Sequence, residues 1–130
     1  MKQTSHKFSP FRFVVGAASY DTAEVFYARL DPEIGKTNEL IQAIYYLLWF
    51  PGYLIFNWDA LSDCLRTLQG IPCRKVVLVH DGLPKISEAD LKTYLKILQD
   101  AVLVWGGAKE HELEVVFRAS DQHRIESFLK

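Results

Sequence analysis

Residues 50–68 read FPGYLIFNWDALSDCLRTL, and the place where this run breaks and restarts decides the fold. Pro51 and Gly52 end whatever precedes them. Asn57 is then a good N-cap, because its side-chain oxygen can accept from the free amides of the next turn. Trp58, Leu61, Leu65 and Leu68 recur at helical spacing with Cys64 beside them, which makes one apolar stripe on an amphipathic helix. The other side carries Asp59, Ser62, Asp63 and Arg66. Asp59 and Asp63 stand four apart, so their carboxylates project from one face, a turn from each other. Like charges at that spacing cost a helix about 0.2–0.5 kcal/mol. The helix dipole excuses Asp59 in the first turn but does not reach Asp63. Arg66 can screen Asp63 from three residues on, so an ordinary solvated face stands as the bland reading beside a functional one.

The same residues carry a resemblance. Pro51, Tyr53, Asn57, Asp59, Ala60, Leu61, Asp63 and Leu65 resemble the signature of the barstar family, the small bacterial inhibitors of ribonucleases. That signature runs Pro-x-Tyr-x-Gly-x-Asn-x-Asp-Ala-Leu-x-Asp-x-Leu, and Trp58 and Cys64 are also common in such sequences. Ile55 departs from it where the family has glycine. A β-branched residue cannot follow a glycine into positive φ cheaply, so the loop before the helix is expected to be reshaped.

In that family the acidic helix and its preceding loop plug a ribonuclease active site. A ribonuclease gathers Arg, Lys and His where the RNA phosphate sits, and a rigid carboxylate can take that place through charge-assisted hydrogen bonds. The resemblance implies that Asp63 is the principal anion and Asp59 its neighbour. It implies that Tyr53 is the loop aromatic near the enzyme's catalytic base, and that Asn57 orients the helix. Ser62 stands where an aromatic is known in the family, so a contact there is expected to be lost. Tyr53 reads equally as a residue packing the loop on the core, and for Asn57 the cap role alone suffices. Trp49, Phe50, Phe56 and Trp58 could be interface anchors; core packing is the preferred reading for each, with Phe56 the best candidate for exposure. Asp100 lies late in a third long helix, where the family has another acidic contact, but the spacing does not align and a solvated face is preferred.

Composition bounds the rest. With 130 residues and 49% apolar content the chain is expected to form one domain, residues 1–130, with a real core. A net charge of −1 argues for neither nucleic acid nor an anionic membrane as partner. Between Trp49 and Leu65 the only charges are Asp59 and Asp63. Cys64 beside a helical stripe and Cys73 in a linker do not suggest a framework disulfide, and free thiols suit a reducing cytoplasm. MKQTSHKFSP has no apolar signal region. The most apolar run, Ala43–Phe56, is 14 residues long and broken by Pro51 and Gly52, too short to span a bilayer. A cytoplasmic protein is the expectation.

Taken in order, Phe11–Val15 is a short strand candidate and Ala23–Leu30 a second, the two expected to pair as an antiparallel hairpin. Thr37 caps a predicted helix over Asn38–Phe50 with Leu40, Ile41, Ile44, Leu47 and Leu48 on its apolar face. The helix of the opening run closes at Gly70. Lys75–Val79, KVVLV, suits a central strand buried on both faces. Ser87, with Asp90 three residues on, caps a helix that runs to Trp105 before Gly106-Gly107. Glu112–Arg118 alternates as a strand, and Ser120 caps a last short helix docked by Ile125, Phe128 and Leu129. The order implies an α/β fold in which a small parallel sheet of three core strands, with one added N-terminal antiparallel strand, packs against helices. The barstar family shows the same order, so the resemblance extends over about residues 24–118.

Two rivals remain. His80-Asp81 ends a buried parallel strand, where open α/β sheets place ligands, which would suit an enzyme. No dinucleotide fingerprint, phosphate loop, metal-ligand spacing or nucleophile elbow supports it, so neither a cofactor nor a metal is expected. The other rival keeps the scaffold as a protein-binding module for a different toxin or a non-nuclease partner, as Ile55, Ser62 and the near-neutral charge allow.

Overall fold

The computed structural model describes residues 10–16, 25–50, 56–68 and 70–129. Its elements, in chain order, are β1 (Arg12–Val14), β2 (Val25–Leu30), α1 (Thr37–Leu47), α2 (Trp58–Thr67), β3 (Lys75–His80), α3 (Glu88–Trp105), β4 (Glu112–Arg118) and α4 (Gln122–Leu129), with a 3-10 turn at Ala119–Asp121. The strands form one parallel sheet in the order β1-β4-β3-β2.

β3 lies between β2 and β4, which is why its sequence is a continuous apolar run: every residue from Val76 to His80 is buried. Val76 and Leu78 face the helices together with Ala28, Leu30, Leu113, Val115 and Phe117. Val77 and Val79 join Val116 in a smaller cluster on the other face. Leu40, Ile41, Ile44, Leu91, Leu95 and Leu98 bring α1 and α3 onto the first face, and Leu61 and Leu65 seat α2 in the same core against α3.

The expected N-terminal hairpin does not form. β1 pairs in parallel with β4 at the sheet edge opposite β2. The alternation of Phe11, Arg12 and Phe13 explains the docking. Phe11 meets Phe117 edge-on at 5.1 Å and Phe13 stacks on it at 6.2 Å, while Arg12 reaches Glu114 Oε2 at 2.9 Å on the other face. Packing on a ready-made aromatic thus outweighs the local closure that a hairpin would offer.

Three helix ends also differ from expectation. Lys36, without a side-chain hydrogen bond, occupies the cap position of α1, and Thr37 Oγ1 donates instead to Asp90 Oδ2 at 2.5 Å. That carboxylate ties the start of α1 to the start of α3, while Ser87 Oγ accepts from Asp90 N–H as expected. α1 stops at Leu47, because Trp49 turns to φ 59 and the Phe50 amide bonds back to Tyr45 O at 2.9 Å, a Schellman-type ending. α2 closes at Leu68, itself left-handed at φ 46 and ψ 35, rather than at Gly70. Ser120 falls inside the 3-10 turn, but Ile125 is fully buried and Phe128 and Leu129 pack on the core.

Candidate functional site

The site is built on α2, which is fixed at both ends and along one side. Asn57 has extended backbone and its side chain accepts from the Ala60 amide at 2.8 Å, so the expected cap is in place. At the other end Thr67 Oγ1 donates to Asp63 O and Cys64 O. The Trp105 indole N–H of α3 donates to Leu65 O at 2.9 Å. Carbonyls that a helix end leaves without partners are thereby satisfied. Leu61, Leu65 and Leu68 are wholly buried beneath.

Trp58 opens the helix and lies against Tyr94, ring centres 6.1 Å apart. Tyr94 leads in turn to His80. The carbonyl of Val116 can only accept, so His80 Nδ1 carries the proton and donates to it at 3.1 Å. Nε2 is left to accept from the Tyr94 hydroxyl at 2.6 Å. Burial lowers the His80 pKa to about 4, with Val116 O and Asp81 opposing the shift, and burial raises Tyr94 well above the usual phenol range. The imidazole is a neutral, fully partnered core group stacked on Phe117. Asp81 turns away to Arg29 Nε at 2.6 Å, so the two residues of the enzyme reading do not converge.

The outward face of α2 presents Asp59, Asp63 and Arg66, all exposed. Asp63 Oδ1 accepts from Arg66 at 2.9 Å, and its side chain remains 75% exposed. An ion pair that wet contributes little and separates easily. Asp59 has no ion pair among the described residues. Ser62 is half-buried at one margin of the face, and Cys64 at the other. The thiol lies beside the Tyr45 hydroxyl of α1, which is buried and lacks a well-aligned hydrogen bond. Burial foremost, then Cys64 and Asp63, pushes Tyr45 up to about 12. The Cys64 thiol is also raised, mainly by burial, with Asp63 adding to the shift. Both cysteines are free.

Of the sequence-derived site residues, the structure brings Asn57, Asp59, Ser62 and Asp63 onto one helix. Tyr53 and Ile55 lie outside the described residues. Phe56 is half-buried with its ring edge-on to Tyr45 at 5.2 Å. Phe50 is buried and Trp58 half-buried, whereas Trp49, expected in the core, is 62% exposed. Sequence reasoning missed Trp105, whose indole reaches α2 from 40 residues away. It also missed Tyr46, at 83% exposure; a lone Tyr on the polar side of a helical wheel was the signal that could have found it. Within α1 and α2 the charged residues are Glu39, Asp59, Asp63 and Arg66, so the two helices carry a net negative charge within a nearly neutral protein. Among the described residues no helix is long and apolar enough to cross a membrane, and no cluster of His, Cys, Asp and Glu could hold a metal ion.

Comparison with known proteins agrees with this architecture. The family model described as Barstar (barnase inhibitor) matches residues 24–120, from the residue before β2 to the turn after β4. β1 and the whole of α4 fall outside the match. No curated protein and no solved structure matches the chain.

Proposed function

This chain belongs to the barstar family, and from that premise we propose that it is a cytoplasmic inhibitor or immunity protein that binds a bacterial ribonuclease and blocks its active site. It acts by stoichiometric binding, without turnover or cofactor, and meets neither nucleic acid nor a membrane. The observation that carries this reading is the presentation of α2: a capped, laterally bonded helix holds Asp59 and Asp63 outward, with Arg66 the one cation on that helix and its ion pair to Asp63 open to water. Rigid carboxylates lose little conformational freedom on entering a phosphate pocket, so more of their interaction energy appears as affinity. Asp63 is the principal anion, with Asp59 beside it. Tyr53, Phe56, Asn57 and Ser62 complete the partner-binding surface.

The Asp63–Arg66 ion pair favours a second reading, in which the scaffold binds a different toxin or a non-nuclease protein. Inhibition of RNA cleavage across a panel of basic bacterial ribonucleases separates the two. Under the first reading wild type inhibits one member stoichiometrically, and Asp63→Ala weakens that inhibition by about thirtyfold or more, as loss of one member of a desolvated charge pair does. Inhibition retained by Asp63→Ala moves the site away from that carboxylate. Binding of a non-nuclease partner, indifferent to Asp63→Ala, selects the second reading.

A further inference from the structure

Arg66 is the one cation between Lys36 and Arg74, and the fold lays it across the acidic face of α2. A basic residue in the last turn of a helix ordinarily serves the free carbonyls at that end. Here those carbonyls have other donors: the Thr67 hydroxyl reaches Asp63 O and Cys64 O, and the Trp105 indole reaches Leu65 O. Arg66 folds back by a turn instead. Its Nε donates to Ser62 O at 3.3 Å and its Nη2 to Asp63 Oδ1 at 2.9 Å. The two carboxylates are therefore unequal. Asp59 has no ion pair among the described residues, whereas Asp63 already holds a guanidinium.

That difference bears on what α2 can bind. A cation arriving at Asp63 must displace Arg66, and the displaced guanidinium stays tethered within a turn, ready to return. The pair is exposed on both sides, 46% for Arg66 and 75% for Asp63, so it is weak and opens readily. Arg66 meets the carboxylate through a single hydrogen bond. A partner that converges two or more donors on Asp63 holds it better, because such charge-assisted bonds add geometry to charge. A diffuse positive surface has no such advantage. We propose that Arg66 is a specificity-determining residue of this face, a resident competitor that denies Asp63 to surfaces that are merely basic and yields it to a partner with converging donors. The inference rests on the proposed function in taking Asp63 as a contact residue. It makes discrimination depend on a built-in rival rather than on an added attraction.

The test is a double-mutant cycle on the whole chain: wild type, Arg66→Gln, Asp63→Asn and the two combined. The merely basic probe is octa-lysine, whose ammonium groups are point charges without a fork of donors, titrated by calorimetry at low salt. Neither substitution threatens α2, since glutamine is a good helix former and asparagine keeps the shape of aspartate at an exposed position. A resident competitor predicts that Arg66→Gln tightens binding about two- to fivefold more in the wild-type background than in Asp63→Asn. Equal factors in the two backgrounds mean that Arg66 acts only through the general field of the protein, and they overturn the proposal. Absence of binding by Arg66→Gln also overturns it, because the freed carboxylates then attract no cation. A purely structural role shifts the denaturation midpoint and leaves the two factors equal, which overturns it as well. The ribonuclease panel keeps the two ideas apart. If a ribonuclease is inhibited through Asp63 while the cycle shows no coupling, the competitor fails and the inhibitor reading stands. If the cycle shows the coupling and wild type inhibits nothing, the inhibitor reading fails and Arg66 keeps its role toward another protein.

Discussion

The ends of α1 and α2 solve one geometric problem with opposite outcomes. Each helix stops by turning a bulky residue into the left-handed region, Trp49 at φ 59 and Leu68 at φ 46. Leu68 is wholly buried, so packing offsets its strain, and the turn fixes the frame of the acidic helix. Trp49 is mostly in water. The same backbone cost is met by the core in one case and left open in the other. Strain with burial marks architecture, whereas strain with exposure marks a surface kept for something else.

Replacing each residue by glycine breaks the comparison most directly, and the larger effect belongs to Leu68. Leu68→Gly removes a fully buried side chain, and the relief of backbone strain returns only part of the loss, so stability should fall by about 2–4 kcal/mol. Chemical denaturation reads this, and an unchanged midpoint would mean that burial at Leu68 is not what holds the end of α2.

Acid probes the support beneath the other end of α2, where Trp58, Tyr94 and His80 are stacked in series. The His80 pKa falls from 6.5 to about 4 on folding, so below pH 6.5 the unfolded chain takes up a proton that the folded one refuses. Stability contributed by neutral His80 is therefore complete above pH 6.5 and lost as pH falls toward 4. Between pH 7 and 4.5 the loss should be about 2–3 kcal/mol. A flat stability profile across that window would show that the imidazole is not held neutral.

Asn57→Ala tests the cap itself and should cost about 1 kcal/mol, visible as faster amide exchange in the first turn of α2. Smallest of all is Trp49→Gly. Lost contact with Phe26 and relieved backbone strain nearly cancel, and the midpoint should stay within about 0.5 kcal/mol of wild type. A large loss there would place Trp49 with Leu68 as architecture and remove the contrast between the two ends.

Sequence reading located α2, its cap, β3, α3 and β4 because each is written in local chemistry: Asn57 before a periodic stripe, an unbroken apolar run, Ser87 before Asp90. It placed Asp59 and Asp63 outward for the same reason. What it misjudged depends on partners distant in the chain. Thr37 looked like a cap until Asp90 of α3 offered a better acceptor. Phe11–Val15 looked like half of a hairpin because β2 follows it, yet Phe117, about a hundred residues on, is the surface on which it packs. Trp49 looked like core because large aromatics usually are, and no local pattern shows that the chain turns left-handed beneath it. The Asp63–Arg66 pair was legible from spacing alone, since both residues share one helix.

β1 falls outside the family match, yet it covers the flank of β4. Without it, Val116, Phe117 and Arg118 of β4 would join the open row of amides and carbonyls at that edge, the template on which sheets of separate molecules join. With it, the sheet ends instead in a three-residue strand bearing Arg12, short and charged, as a protected margin should be. A chain cut back to the family boundary is therefore expected to keep α2 and its carboxylates but to self-associate through β4, which sedimentation would show.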